Sequence, residues 1–132
     1  MTKDERALYH QIHPAKLAVD AAAGVSAVLA LSQGWFVSGV AVAVAVPAAA
    51  SFAVLQRADL ERLKHSRFGA YVRKFMTPAA QFQRIAGFGV LSAAAWVHSY
   101  LLGVFGAALI IHAWTQGLLI PRDLRKQISS RS

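Results

Sequence analysis

Two charged residues stand inside otherwise apolar segments of this 132-residue chain, and they are the first candidates for chemistry. Asp20 and Arg84 each follow a proline, Pro14 or Pro78, by about two helical turns. A charge near hydrocarbon is costly, so it is expected to face other helices and to have a partner. We therefore expect an Asp20–Arg84 ion pair within a helix bundle, with Lys16, one turn before Asp20, as the local alternative. The functional alternative for Asp20 is proton transfer or cation binding.

A polar stripe in the last apolar segment is the second candidate. His112, Thr115 and Gln116 share one face of a helix, at a depth close to that of Asp20 and Arg84. The stripe is expected to line a small cavity or to hydrogen-bond neighbouring helices. The predicted intramembrane polar cluster consists of Asp20, Arg84, His112, Thr115 and Gln116.

The sequence offers little support for catalysis or for a cofactor. It contains no cysteine, no glycine-rich phosphate loop and no Ser-His-Asp arrangement. His10 and His13 have the spacing of a metal-ligand pair, but a free pair at the membrane interface is the commoner case. A haem between helices requires a second histidine at the depth of His112, which only a homodimer would supply. We therefore predict no catalytic residue, no metal and no cofactor.

Two long stretches without charged residues, 21–56 and 85–121, predict the fold class. A single helix over either stretch would be about 54 Å long at ~1.5 Å per residue, whereas a bilayer core about 30 Å thick needs roughly 20 residues. Each stretch therefore predicts two membrane-spanning helices joined by a tight turn. The four predicted helices cover about 14–32, 36–56, 79–98 and 101–120, in one all-α membrane domain.

The turns between these helices are predicted at 32–35 and 98–100, where polar residues interrupt the apolar pattern. Trp35, Trp96 and Tyr100 flank these positions, and such side chains prefer the membrane–water interface. Both halves of the chain then share one layout: an initial proline, a charged residue, two helices and a basic exit. The sequence therefore predicts two pseudo-repeated helical hairpins.

Basic residues are confined to three segments, apart from Arg84 just inside the third predicted helix. These segments are the N-terminus, a connector over 57–77 and a C-terminal tail over 121–132, and the predicted turns carry no charge. The net charge is +8, from 14 Lys+Arg and 6 Asp+Glu. All three segments fall on one side of a four-helix topology, which predicts an inner-membrane protein with both termini cytoplasmic. Because topology accounts for the basic residues, we predict no nucleic-acid partner.

The connector has the pattern of an amphipathic helix. Phe68, Tyr71, Val72 and Phe75 recur at helical spacing, with Gly69 as the expected weak point. We expect this helix to lie on anionic head groups at the membrane surface, the alternative being a plain extension of the second and third predicted helices. The residues predicted to bind the lipid surface are Arg62, Lys64, Arg67, Arg73 and Lys74.

Small residues indicate close helix packing, within the chain or with other chains. Gly39 with Ala43 and Gly103 with Ala107 form small-xxx-small pairs in the second and fourth predicted helices. The expected partners are the lipid bilayer and other membrane protein chains or further copies of this one.

Three functions follow from these patterns. The favoured one is a non-enzymatic accessory or scaffold subunit of a larger inner-membrane assembly. The alternative is a small homo-oligomeric transporter or channel whose polar path runs through Asp20, Arg84 and His112. A membrane enzyme acting on lipid is the third, and it has the least support because no catalytic motif is present.

Overall fold

Helices form all the regular structure in the computed structural model, which describes residues 1–119 and, beyond them, 126, 127 and 130. In chain order these are α1 (Lys3–Tyr9), a 3₁₀ turn (His10–Ile12), α2 (Pro14–Ser32), α3 (Phe36–Arg57), α4 (Glu61–Lys64), α5 (Arg67–Phe75), α6 (Pro78–Val97) and α7 (Tyr100–Leu119). No strand occurs in the described part of the chain, which confirms the all-α prediction. Most of the predicted basic tail over 121–132 lies outside the described residues.

Three of the four long helices, α2, α3 and α7, are long and apolar enough to cross a membrane. This finding confirms the membrane class at the level of composition and length. Helix α6 is not among them, although it is equally long, because Gln81, Gln83 and Arg84 lower the hydropathy of its first turns.

The two halves of the chain begin their long helices in the same way. Pro14 and Pro78 each occupy the first turn, where the missing N–H of proline leaves no hydrogen bond unmade. The preceding side chains cap the helices: a ring nitrogen of His13 accepts from the backbone of Ala15, and Thr77 Oγ1 accepts from Ala80 N. The local sequence therefore fixes both starting points.

Left-handed residues lie between the paired long helices. Gly34 follows α2 with φ of 81°, and His98 follows α6 with φ of 55°. The left-handed region is easy for glycine but strained for histidine, so His98 needs a compensating contact. Its ring donates from Nε2 to the carbonyl oxygen of Ser32 over 2.8 Å, which joins the two turns. We call this end of the bundle the turn end.

The long helices lie in the order α3, α2, α6, α7. Helix α2 packs along α3, α6 packs along α7, and the two pairs meet through α2 and α6. The closest approach of α6 and α7 is at Gly87 and Gly106, where an added Cβ would lie 2.9 Å or less from the backbone of the facing helix. The small-residue pattern in the sequence predicted close packing at Gly103 instead. A Cβ there would meet only Ala94, at 3.9 Å. The crossing point depends on which face of α7 meets α6, and α7 is apolar all round before His112.

The hydrophobic core is concentrated at the opposite end, which we call the basic end. There α1, the 3₁₀ turn, α4 and α5 cover the adjoining ends of the long helices. Tyr9, Ile12 and Val72 are the largest fully buried side chains, and Leu60 and Met76 pack with them. In contrast, the outer faces of the long helices carry exposed apolar side chains.

The connector differs from its prediction in two respects. It forms two helices, α4 and α5, separated at His65 and Ser66, and Gly69 lies buried inside α5 rather than breaking it. A Cβ at Gly69 would collide with the carbonyl oxygen of Leu63, so this glycine allows α5 to pack closely against the end of α4. Within the predicted apolar stripe, Val72 faces the protein core and is 1% exposed, whereas Phe68 is 43% exposed.

Candidate functional site: a polar network at the basic end

Arg84 links three segments of the chain. It lies in the second turn of α6, and its Nη2 donates to Gln11 Oε1 of the 3₁₀ turn over 2.9 Å. The guanidinium also lies over the ring of Trp114 in α7, 5.2 Å from the ring centroid. Gln11 continues the network by donating from Nε2 to Gln81 Oε1 over 3.4 Å. The guanidinium that was expected to pair with Asp20 is thus held by amide and aromatic groups.

Asp20 pairs with Lys16 rather than with Arg84. The Lys16 ammonium donates to both carboxylate oxygens of Asp20, one helical turn away. Asp20 and Arg84, both described by the structure, form no ion pair, which corrects the leading expectation from the sequence and favours its local alternative. The physical reason is that residues four apart on a helix are neighbours by construction, whereas Arg84 finds neutral partners. The Lys16 side chain is only 5% exposed, against 37% for Asp20.

His112 lies on the outer face of α7, away from Arg84. Its Nδ1 is 2.8 Å from Gln83 Nε2, and the same Gln83 nitrogen is 3.1 Å from the carbonyl oxygen of Leu109. A carbonyl can only accept, so this nitrogen is the amide donor, and Nδ1 of His112 is an acceptor. The neutral imidazole then carries its proton on Nε2, an assignment inferred from this network. The His112 residue is exposed.

Thr115 and Gln116 take part in helix packing. The Thr115 hydroxyl donates to the carbonyl oxygen of Ile111 in its own helix over 2.7 Å. Gln116 Nε2 donates to the carbonyl oxygen of Phe75 at the end of α5, also over 2.7 Å. Beside it, the Tyr71 hydroxyl donates to the carbonyl oxygen of Trp114 over 2.7 Å. These contacts fasten the connector to the last long helix.

The five residues predicted as one intramembrane cluster therefore occupy separate environments. Asp20 lies with Lys16 on α2, Arg84 lies between α6, α7 and the 3₁₀ turn, and His112 faces outward with Gln83. No hydrogen bond or ion pair joins these three groups directly among the described residues.

Four residues of this network were missed by sequence reasoning, namely Gln11, Gln81, Gln83 and Trp114. The available signal was the polar run Gln81 to Arg84 at the start of an otherwise apolar helix. Several amides close to one charge in a predicted span indicate a hydrogen-bonded network, because each would otherwise be unsatisfied in hydrocarbon. The partner Gln11 had no such signal, since it lies in a polar segment.

The residues predicted to bind the lipid surface fall into two groups. Arg62, Arg67 and Arg73 are exposed, and no protein contact holds their charged groups among the described residues. Lys64 and Lys74 are half-buried: Lys64 Nζ is 3.2 Å from Glu5 Oε1, and Lys74 Nζ lies 5.6 Å from the centroid of the Phe75 ring. Three of the five residues therefore remain free to meet an anionic surface.

Helix α1 is fastened to the basic end by charged groups. Arg6 Nη2 donates to the carbonyl oxygen of Leu55 near the end of α3 over 2.6 Å, which satisfies one of the carbonyls left open there. Glu5 accepts from the Thr2 backbone and from Lys64, and these two hydrogen bonds hold the pKa of the Glu5 carboxyl below its ordinary value. The ionised form of Glu5 is thus the form that α1 docking requires.

The network has the chemistry of a structural junction. Its donors and acceptors are amides, one guanidinium, hydroxyls, backbone carbonyls and one aromatic ring, and they join α5, α6, α7 and the 3₁₀ turn, while the Lys16–Asp20 ion pair lies within α2. Within the described residues no three histidines, aspartates or glutamates are grouped so as to hold a metal ion. His10 and His13 instead contact the carbonyl oxygen of Arg6 and the backbone of Ala15.

Comparisons of the chain with protein-family models, with curated proteins and with solved structures find no match. Support for a function therefore comes from the residues and contacts described above.

Proposed function

We propose that this chain is a small, non-enzymatic, multi-pass membrane protein that serves as an accessory or scaffold subunit of a larger inner-membrane assembly. The main support for this proposal is the contrast between the polar groups near the basic end and the outer faces of the long helices. The amides, the Arg84 guanidinium and the Lys16–Asp20 pair near the basic end bond within the protein, whereas the long helices present broad apolar faces outward. Helix α3 is the extreme case, because Val37, Val44 and Phe52 are 80%, 65% and 66% exposed.

Four membrane crossings, with α6 as the fourth, belong to this proposal. Two contacts support a crossing by α6: His98 at its end bonds to Ser32 at the end of α2, and the ring of Trp96 lies 5.1 Å from that of Phe36. The end of α6 is therefore level with the turn between α2 and α3. The polar residues of α6 lie near its other end, where Arg84 and Gln81 have protein partners.

The proposed orientation puts the basic end in the cytoplasm. The exposed Arg62, Arg67 and Arg73 then face the cytoplasmic leaflet, whose anionic head groups attract basic residues within about a Debye length. Charge would supply most of this contact, because Val72 and Leu60 on the apolar side of the connector are buried in the core, and Phe68 is the large apolar side chain of the connector that stays exposed.

Native mass spectrometry after extraction in a mild detergent tests the proposal. We expect the chain together with at least one different membrane protein in a fixed stoichiometry, and with retained anionic lipid. Replacing Val44 by tryptophan on the outer face of α3 should release the partner protein. Replacing Arg62, Arg67 and Arg73 by glutamine should reduce the anionic lipid and leave the partner bound.

A different result of the same experiment would overturn the scaffold function. If only copies of this chain are found, and the purified chain conducts a solute across liposomes, the transporter alternative replaces the scaffold function. Loss of that flux in Arg84→Gln would then assign Arg84 to the path.

A further inference from the structure

The outer face of α6 and α7 carries two polar groups whose hydrogen bonding is incomplete. In the tautomer assigned above, His112 directs its Nε2–H away from Gln83, and no described residue accepts from it. Gln83 uses its amide nitrogen twice, toward His112 and Leu109, while its Oε1 has no hydrogen-bond partner among the residues that the structure describes. Gln83 Oε1 is also absent from the buried, unsatisfied atoms of the described residues, so this oxygen is accessible at the surface.

Both polar groups lie well inside their helices, where exposure to lipid would be unfavourable. Gln83 lies about 8 Å along α6 from its start, and His112 lies about 10 Å from the end of α7, at ~1.5 Å per residue. If the four helices cross the membrane as proposed, both groups lie within the hydrocarbon region. Polar groups at that depth face protein or a water-filled cavity in nearly all cases, because lipid offers no hydrogen bonds.

We infer that this face binds a second copy of the chain about a two-fold axis. One donor and one acceptor side by side are self-complementary: His112 Nε2–H of each copy donates to Gln83 Oε1 of the other. A two-fold interface pairs residues in this reciprocal way, so both copies are satisfied at once. The inference rests on the membrane function proposed above, and the pair of chains is the unit that joins the larger assembly.

The residues around the two groups permit the close approach that such bonds require. Ala108 lies one turn before His112 on the same face of α7 and is exposed, and Ala86 lies one turn after Gln83 on α6. Short side chains at these positions let helix backbones approach closely enough for side chains to bond across the interface. The exposed polar residues of α3, namely Ser38, Gln56 and Arg57, lie near its ends, so a polar pair flanked by alanines distinguishes the face of α6 and α7.

A mixing experiment tests the inference in lipid nanodiscs or native membranes. In Gln83→Leu every copy keeps the donor and lacks the acceptor, and in His112→Leu every copy keeps the acceptor and lacks the donor. Each variant alone loses both cross-bonds, and we expect its dimer dissociation constant to rise about tenfold. A mixture of the two variants restores one cross-bond, so mixed dimers should form in preference to either homodimer, as measured by energy transfer between labelled copies.

Cysteine crosslinking provides the matched control, because the natural chain has no cysteine. Ala108→Cys should form a disulfide-linked dimer on oxidation in the membrane, whereas Val44→Cys on α3 should not. Equal dissociation constants for the parent and both variants, or no preference for mixed dimers, would overturn the inference.

The outcomes separate this inference from the proposed function. A chain that stays single while a different membrane protein still copurifies refutes the dimer and leaves the scaffold function. A dimer with the mixing behaviour, but without any other protein, supports the dimer and refutes the scaffold function.

Discussion

At the scale of single residues, Lys16 has the most demanding environment. It is the one buried charged residue in the described part of the chain, and Asp20 is its only charged partner there. A buried ammonium is tolerated because the carboxylate and the adjacent solvent or head-group region offset its desolvation. Removing the carboxylate alone leaves an unpaired charge in a packed region, whereas removing both charges does not.

This environment predicts a coupling between Lys16 and Asp20. Asp20→Asn should lower the free energy of unfolding by about 1–3 kcal/mol. This loss is smaller than the roughly 3–5 kcal/mol for breaking a fully buried pair, because Asp20 is 37% exposed. The double variant Lys16→Met/Asp20→Asn should recover part of the loss in thermal unfolding in detergent. The control is a double-mutant cycle that combines Asp20→Asn with Arg84→Gln. Its coupling free energy should be smaller than that between Lys16 and Asp20. A larger coupling between Asp20 and Arg84 would mean that these two residues pair in the membrane after all.

At the scale of helices, the contact between α6 and α7 depends on missing side chains. Gly87 faces the backbone of Gly106 so closely that an added Cβ would lie 2.9 Å from its carbonyl oxygen. Gly89, two residues later in the same helix, has nothing within 4 Å of that position. The two glycines share their helical conformation and differ in what they face.

Substitution of Gly87 and of Gly89 by alanine therefore provides a matched test of the contact between α6 and α7. Gly87→Ala should separate α6 from α7 and destabilise the protein by about 1–3 kcal/mol, the usual cost of overpacking. Gly89→Ala should be neutral or stabilising by up to about 1 kcal/mol, because alanine favours the helix. Thermal unfolding followed by circular dichroism in detergent measures both. Equal effects of the two variants would contradict the close crossing at Gly87 and Gly106.

Docking of α1 should depend on pH through Glu5. Its pKa is lowered in the folded protein by hydrogen bonds from the Thr2 backbone and Lys64, so its contribution is complete above the ordinary glutamate pKa of about 4.3. The contribution is lost as the pH falls through the lowered pKa, because protonation removes the charge that Lys64 contacts. Spin labels on cysteines at Ala7 and His65 should report a broader distance distribution below this range. In Glu5→Gln the distribution should not change with pH over the same interval.

At the scale of the whole molecule, the position of α6 determines the topology. With four crossings and the orientation proposed above, Ser66 and Thr2 lie on the cytoplasmic side, and Gly34 and Ser99 lie on the other. If α6 does not cross, Ser66 and Ser99 fall on the same side of the membrane. Single cysteines at these positions, labelled from outside with an impermeant thiol reagent, should therefore react at 34 and 99 only. Labelling at Ser66 would contradict the proposed orientation, and absence of labelling at Ser99 while Gly34 reacts would exclude four crossings.

The sequence by itself determined the features that depend on neighbouring residues. Charge-free stretches longer than one bilayer crossing imply helices interrupted by turns, and Pro14, Pro78 and Gly34 mark where helices begin or end. The long helices accordingly begin and end within one residue of the ranges expected from the sequence. Such features follow from helix geometry and local hydrogen bonding, which a linear reading of residues contains.

Only the tertiary structure decided which residues meet across the bundle. The sequence placed Arg84 at the right depth but could not show that Gln11, far along the chain, would bond to it instead of Asp20. It showed the amphipathic pattern of α5 but not that Val72 would face the core. The reason is that α3 and the part of α7 before His112 are almost wholly apolar, so no hydrophobic period there selects the buried face. That face is selected by close backbone contacts, such as Gly87 against Gly106, which exist only once the helices are packed together.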